Sequence, residues 1–278
     1  MIFSAYWKPF GFVRITSRDV FKIRLMKRTL QIANGVALVF TIIFNYLSNT
    51  GIFDGKTIGD VSDQYNTSIT PAGYAFSIWG LIYVLLFAFV IYTGRSLFKP
   101  EKNDADGIIE RVGWWFVVSC IANCVWIVVW LNGWSGLSVV ILVIAMISLT
   151  KILLETLNFA ETPAKKWFVN VPFQIYAGWM SVALIVATAA WLGKIGWDGL
   201  GISGELWTVI LIAVATVIHL MMTWRKNSPL FAIVGTWAFV AIAQANSESS
   251  STIYICAMIC AAVLFGSSLF NMIRRKSV

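Results

Sequence analysis

Apolar residues in this chain gather in long unbroken runs separated by short polar connectors. Eight runs stand out, at 29–49, 71–93, 112–132, 137–158, 167–192, 206–224, 229–245 and 252–273. A helix rises about 1.5 Å per residue, so roughly 20 apolar residues cross a hydrocarbon layer about 30 Å thick. A transmembrane barrel would instead require alternation at period two. The pattern predicts an all-α, polytopic helical membrane protein with eight crossings, of which 229–245 is the shortest. Gly133–Gly136 is too short a connector to do anything but join antiparallel neighbours. The Gly-rich stretch 193–204 is the main internal boundary. It divides the chain into a basic amino-terminal segment (1–28) with five helices (29–192) before it, and three helices (206–273) after it.

Composition agrees with this picture. The chain has 278 residues, 59% of them hydrophobic and 12% charged, whereas soluble domains carry about 25% charged residues. The net charge of +8 would suggest nucleic acid in a soluble protein, but its placement argues otherwise. With the amino terminus inside, 19 of the 21 basic residues fall on inner segments, and only Lys56 and Lys194 lie outside. That asymmetry follows the positive-inside rule. It predicts both termini in the cytoplasm, a plasma (cytoplasmic) membrane location and no nucleic-acid partner. Residues 1–28 alternate apolar and basic positions, which suits an amphipathic segment on the inner membrane surface; a disordered tail is the other reading.

Few groups in the spans can do acid–base chemistry. His219 is read as a neutral, hydrogen-bonded core histidine, with a proton relay as the other reading. Glu155 is read as a boundary ion pair with Lys151. Cys120 and Cys124, like Cys256 and Cys260, share a helix face at i, i+4 and serve either as small fillers or as a thiolate site. No Walker loop, H-E-x-x-H or Gly-x-Ser-x-Gly occurs, and no catalytic or metal constellation can be assembled. Asp54, Asp60 and Asp63 in the first outer loop (about 50–70) do not match a calcium loop. That loop is long enough to act as a lid. The 94–111 segment reads as a simple connector.

The spans carry aromatic rings instead; the chain has 14 Trp. Trp114, Trp134, Trp191, Trp207 and Trp224 fit an interfacial belt. Others lie deeper. Phe76, Trp79 and Tyr83 share one face of the second span. Asn123, Trp126 and Trp130 share one on the third. Tyr176 and Trp179 follow Pro172 on the fifth, with small Ala183 and Ala187 beyond them. Such faces either pack helices together or line a flat apolar cavity with Asn123 as its polar anchor.

Residues 71–83, PAGYAFSIWGLIY, resemble the P-x-G-[WY]-x-F-…-W-x-x-[IL]-Y signature of the TspO/MBR family, the tryptophan-rich sensory and translocator proteins. Asn123-Cys124-Val125-Trp126 resembles the family's N-x-x-W, and Val171-Pro172 with Tyr176 and Trp179 its fifth span. The usual Trp-x-Pro-Pro is reduced to Pro71, and Ala187 or a neighbour stands where the family carries Asn. The resemblance covers 29–192 and leaves the last three helices as an extension.

It implies a five-helix bundle that binds a planar hydrophobic ligand, a porphyrin or haem-type tetrapyrrole or a sterol-like lipid, as sensor or transporter. Phe76, Trp79, Tyr83, Asn123, Trp126, Trp130, Tyr176 and Trp179 are the candidate ligand-binding residues, with the first outer loop as lid. The expected partners are the bilayer and this ligand, with a homodimer left open. Two alternatives stand beside this reading: an enzyme that modifies a bound porphyrin or lipid, and an eight-helix secondary transporter. A sterol-type pattern also occurs at Val90–Arg95.

Overall fold

The computed structural model describes residues 16–53, 55–65, 67–98, 106–157 and 162–274. No strand occurs among them, and every predicted run coincides with a helix. The long helices are α1 (Ser17–Ser48), α3 (Ile78–Gly94), α5 (Trp115–Leu131), α6 (Ser135–Leu157), α7 (Val171–Lys194), α8 (Gly204–Arg225), α9 (Pro229–Ala245) and α10 (Ser251–Arg274); α2 (Ile58–Gln64) and α4 (Asp106–Val112) are short. Six helical stretches are long and apolar enough to cross a membrane, while α5 and α9 are shorter apolar helices of 17 residues. At about 1.5 Å per residue those two reach roughly 25 Å, the lower end of what a crossing needs.

Local signals set the boundaries. Thr16 caps α1 through a reciprocal pair with Asp19, which satisfies two amide donors that the first helical turn leaves open. Residues 17–28, part of the basic segment, run without a break into the first span; residues 1–15 lie outside the described residues. Gly113, at φ +52°, ends α4 in the left-handed conformation that a side chain disfavours. A five-residue π-helical turn, Lys166–Asn170, precedes α7. It lies just where Pro172 withholds a backbone donor from the preceding turn.

The first five long helices close into a ring: α1 packs on α3 and α5, α5 on α6, α6 on α7, and α7 on α3. Helix α9 then lies along the outside of α7, flanked by α8 and α10, which also touch each other. The shortest run is therefore the most enclosed of the last three helices. Phe231, Ala232, Val234, Gly235, Ala238, Phe239, Ala241, Ile242 and Ala243 are all buried.

Two glycines permit this packing. A Cβ on Gly178 of α7 would lie 3.1 Å from both Phe231 O and Val234 Cβ of α9. One on Gly235 of α9 would lie 2.5 Å from His219 Nδ1 and 2.8 Å from Leu264 Cδ1. Small residues allow helix backbones to approach where lipid supplies no hydrophobic drive for association.

Hydrogen bonds confirm that the helices alternate in direction. At one end Gln31 Nε2 donates to Thr93 O and Ser96 Oγ, Leu230 N donates to Gln174 Oε1, and Ser268 Oγ donates to Pro229 O. At the other, Asn246 Nδ2 donates to Ser68 O, Ser250 Oγ donates to Glu205, and Lys194 and Tyr65 both donate to Gly133 O. The described start of α1 and the end of α10 thus share one end of the bundle, the basic one.

Two expectations need correction. Segment 94–111 is more than a connector, because Ile108, Ile109 and Val112 of α4 are fully buried against the bundle. Glu155 pairs with Arg111 of that helix at 3.3 Å rather than with Lys151. The i−4 spacing suggested Lys151, but the fold brings α4 across the end of α6.

The glycine contacts set opposite signs for similar substitutions. Gly235→Ala is expected to destabilise by about 1–3 kcal/mol, since neither His219 nor Leu264 has room to yield. Gly266→Ala on α10 meets nothing within 4 Å and should stabilise by roughly 0.5–1 kcal/mol through helix propensity. Melting of the two variants in detergent, followed by helical circular dichroism, checks both signs.

Candidate functional site

The family-like aromatic residues converge inside the five-helix ring. Trp79 stacks on Tyr83 (centroids 5.6 Å, 20° between planes) and meets Tyr176 edge-on at 5.8 Å. Phe76 meets Trp179 edge-on at 6.0 Å, and Trp126 stacks on Trp130 at 5.9 Å. Helices α3, α5 and α7 each contribute one face, as the i, i+3/i+4 spacing predicted. All eight sequence-predicted residues lie in or beside this cluster. Phe76, Trp79, Trp126, Trp130 and Trp179 surround a common cavity, and small Ala183 and Ala187 line its α7 side.

That cavity is narrow. Its volume is about 30 Å³, room for roughly one water, because the rings fill most of the space between the helices. The larger space lies just outside it. A cleft of about 480 Å³ opens between α1 and α3, with Phe76, Trp79 and Tyr83 on one wall and Ile42, Asn45 and Asn49 on the other.

Polar groups in the cluster are unevenly satisfied. Trp126 Nε1 donates to Ser138 Oγ at 2.9 Å, and Trp130 Nε1 donates to Ile58 O at 3.2 Å. Asn45 Nδ2 donates to Asn123 Oδ1 at 2.7 Å. Three buried atoms have no partner: Trp79 Nε1, Tyr83 Oη and Asn123 Nδ2. Each is able to donate a hydrogen bond. Leaving a buried donor unpaired costs about 1–3 kcal/mol, so three in one cluster are a large concentration of unmet polarity. Asn34 on α1 also has both amide atoms unpartnered, and nothing in the structure explains it.

The first outer loop folds over this cluster. Thr57 caps α2 through a reciprocal pair with Asp60, which holds the Asp60 carboxyl below its ordinary value through hydrogen bonds from the Thr57 backbone and hydroxyl. Ile58 and Val61 are buried, and the Tyr65 ring lies 5.1 Å from that of Trp130. Partial burial raises the Tyr65 hydroxyl above its usual value. The loop is thus a short helix fastened to Trp130, with Ile58 and Gly59 also at the top of the α1–α3 cleft.

Sequence reasoning missed the polar wall supplied by α1. Asn45 and Thr41 lie within the first predicted run and are buried, and Thr41 Oγ1 accepts from Cys124 Sγ at 3.6 Å. The intramembrane-amide argument that singled out Asn123 applied equally to Asn45. Ser138, the partner of Trp126, carried no comparable signal.

His219 stands apart from the aromatic site. It is fully buried, with Nδ1 2.9 Å from Phe231 O and Nε2 3.1 Å from Ser181 Oγ. A carbonyl only accepts, so Nδ1 carries a proton toward Phe231 O, while Nε2 faces the Ser181 hydroxyl, which donates to Gly178 O at 2.7 Å. The histidine ties α8 to α7 and α9. The described cysteines are all free thiols, and no cluster of three or more His, Cys, Asp or Glu placed to hold a metal occurs among the described residues.

These features define a class: a multi-pass helical membrane protein with an aromatic, partly polar site between its helices. A family model described as TSPO-like protein matches residues 31–270. The chain belongs to that family, in agreement with the resemblance carried by the second, third and fifth spans. The match runs through α8, α9 and α10, so the last three helices fall within the family's own pattern. No curated protein and no solved structure matches the chain.

The Thr57–Asp60 pair makes the cap of α2 sensitive to acid. A lowered carboxyl value means that its contribution is complete above the ordinary carboxylate range and disappears as pH falls through the lowered value. The protection of amides 58–64, relative to their intrinsic exchange rates at each pH, is expected to fall at acidic pH in the parent protein. Asp60→Asn should show lower protection already at neutral pH and little further loss on acidification.

Proposed function

We propose that the chain is a membrane receptor for a planar, hydrophobic ligand carrying a hydrogen-bond acceptor, acting as a sensor or carrier. A tetrapyrrole with carboxylate side arms fits this description, as does a sterol-like lipid with a carbonyl or hydroxyl oxygen. The observation that carries the reading is the set of unpartnered donors on Trp79, Tyr83 and Asn123 among stacked rings. Rings supply flat contact area and the donors supply orientation. An acceptor oxygen placed among them relieves several buried polar groups at once.

The site has two parts in this reading. The α1–α3 cleft, at about 480 Å³, lies within the range of about 300–1,000 Å³ common to small-molecule pockets. The ligand enters there from the bilayer. Trp126, Trp130, Tyr176 and Trp179 behind it deepen the pocket once α2 lifts and the rings part. The five-helix unit, 29–192, carries the binding, and α8–α10 brace α7 from outside. The basic end of the bundle faces the cytoplasm, in the orientation favoured by the positive-inside rule.

Titration of the purified protein with a porphyrin, read by tryptophan quenching, tests the proposal. Saturable quenching is expected. Trp79→Phe and Tyr83→Phe keep a ring and remove a donor, and each should weaken binding by about tenfold if its donor pairs with the ligand. Linear, unsaturable quenching by both porphyrin and sterol probes would reject the site. Unchanged affinity in the two variants would remove the donors from it.

A further inference from the structure

A second space between α1 and α3 lies at the opposite, basic end and takes no part in the aromatic site. It is an apolar groove of about 720 Å³ running from Gln31 to Ile43 on α1 and from Phe87 to Phe98 along and just beyond α3. Val36, Val39 and Ile91 on its walls are exposed, so the groove faces lipid. The 13 residues from Gln31 to Ile43 span about 18 Å, comparable to one extended acyl chain.

The basic end of the groove is built differently from its walls. Gln31 Nε2, bonded to Thr93 O at 2.6 Å and to Ser96 Oγ at 2.9 Å, pins the two helices together. Arg95 lies beside this pin. Its Nε donates to Tyr92 O at 3.3 Å, and its guanidinium carbon sits 4.5 Å from the centre of the Tyr92 ring. These two contacts orient the guanidinium, while its terminal nitrogens have no acidic partner among the described residues. Arg28 is exposed and lies one turn before Ile32 on the groove face. Helical side chains lean toward the amino terminus, so Arg28 extends beyond the lined groove on the basic side of the pin.

We propose that this groove is a binding site for one anionic glycerophospholipid, with an acyl chain between α1 and α3 and its phosphate held by Arg95 and Arg28. An arginine fork matches phosphate oxygens in pairs, and here it is fixed at the mouth of an apolar channel. The sterol-type pattern at Val90–Arg95 does not present itself as such. Its Tyr92 is buried, stacked on Phe168 and not among the groove-lining residues, whereas Arg95, seated against that ring, is.

Native mass spectrometry of the detergent-purified protein, with phosphatidylglycerol, phosphatidylcholine or cholesterol added, tests this. One tightly retained phosphatidylglycerol per chain is expected, with retention about fivefold weaker for each of Arg95→Gln and Arg28→Gln. Arg18→Gln with Lys22→Gln removes charge farther along α1 and should leave retention unchanged. Val36→Trp fills the groove without altering charge and should displace the lipid. Circular dichroism melts without added lipid verify that each variant folds. Equal retention of phosphatidylcholine or preference for cholesterol would overturn the proposal. So would a loss in the Arg18/Lys22 variant as large as in the Arg95 variant, which would mark a diffuse surface attraction.

Discussion

Hydrocarbon offers a polar group no partner, and the architecture follows from that constraint. It confines the crossing segments to helices, whose backbone groups pair internally. It also gives meaning to every polar side chain placed between them. Gln31, Gln174, His219, Ser268 and Asn246 each join two elements through a hydrogen bond. Most intramembrane polarity in this chain therefore serves as glue. Trp79, Tyr83 and Asn123 differ because they converge on one place and leave donors open.

The same constraint explains why the shortest span is the hub. A helix facing lipid is long and lined with large aliphatic residues. A helix facing protein on several sides needs close approach instead. Helix α9 has Gly235, Ala238 and Ala241 where its neighbours crowd in, and it binds the aromatic bundle through Trp237 Nε1 to Ala75 O and Ala72 N to Ala241 O. Gly178 lets the five-helix ring approach α9, and Gly235 lets α9 approach α8 and α10. A buried histidine fits such a junction, since its two ring nitrogens reach two different helices.

The two spaces on the α1–α3 seam divide by chemistry. Toward the outer loop the seam meets rings and unpartnered donors under a capped helix that closes on Trp130. Toward the basic end it meets aliphatic walls and two arginines. One seam thus carries two different environments. The first suits a flat ligand bearing an acceptor, and the second a charged headgroup with a chain.

By itself the sequence determined the helices, their alternation and the family, because run length, loop charge and motif order are local or additive properties of the chain. The aromatic faces were equally legible, since helical spacing alone places Phe76, Trp79 and Tyr83 together. Only the tertiary structure decided what those faces enclose. The rings fill their own cavity to about 30 Å³ and leave the open space between α1 and α3, which depends on how far two helices splay. It likewise decided that Glu155 meets Arg111, that α4 buries Ile108 and Ile109, and that Asn45 answers Asn123. Each of these pairs residues from different elements, whose meeting no spacing within one element records.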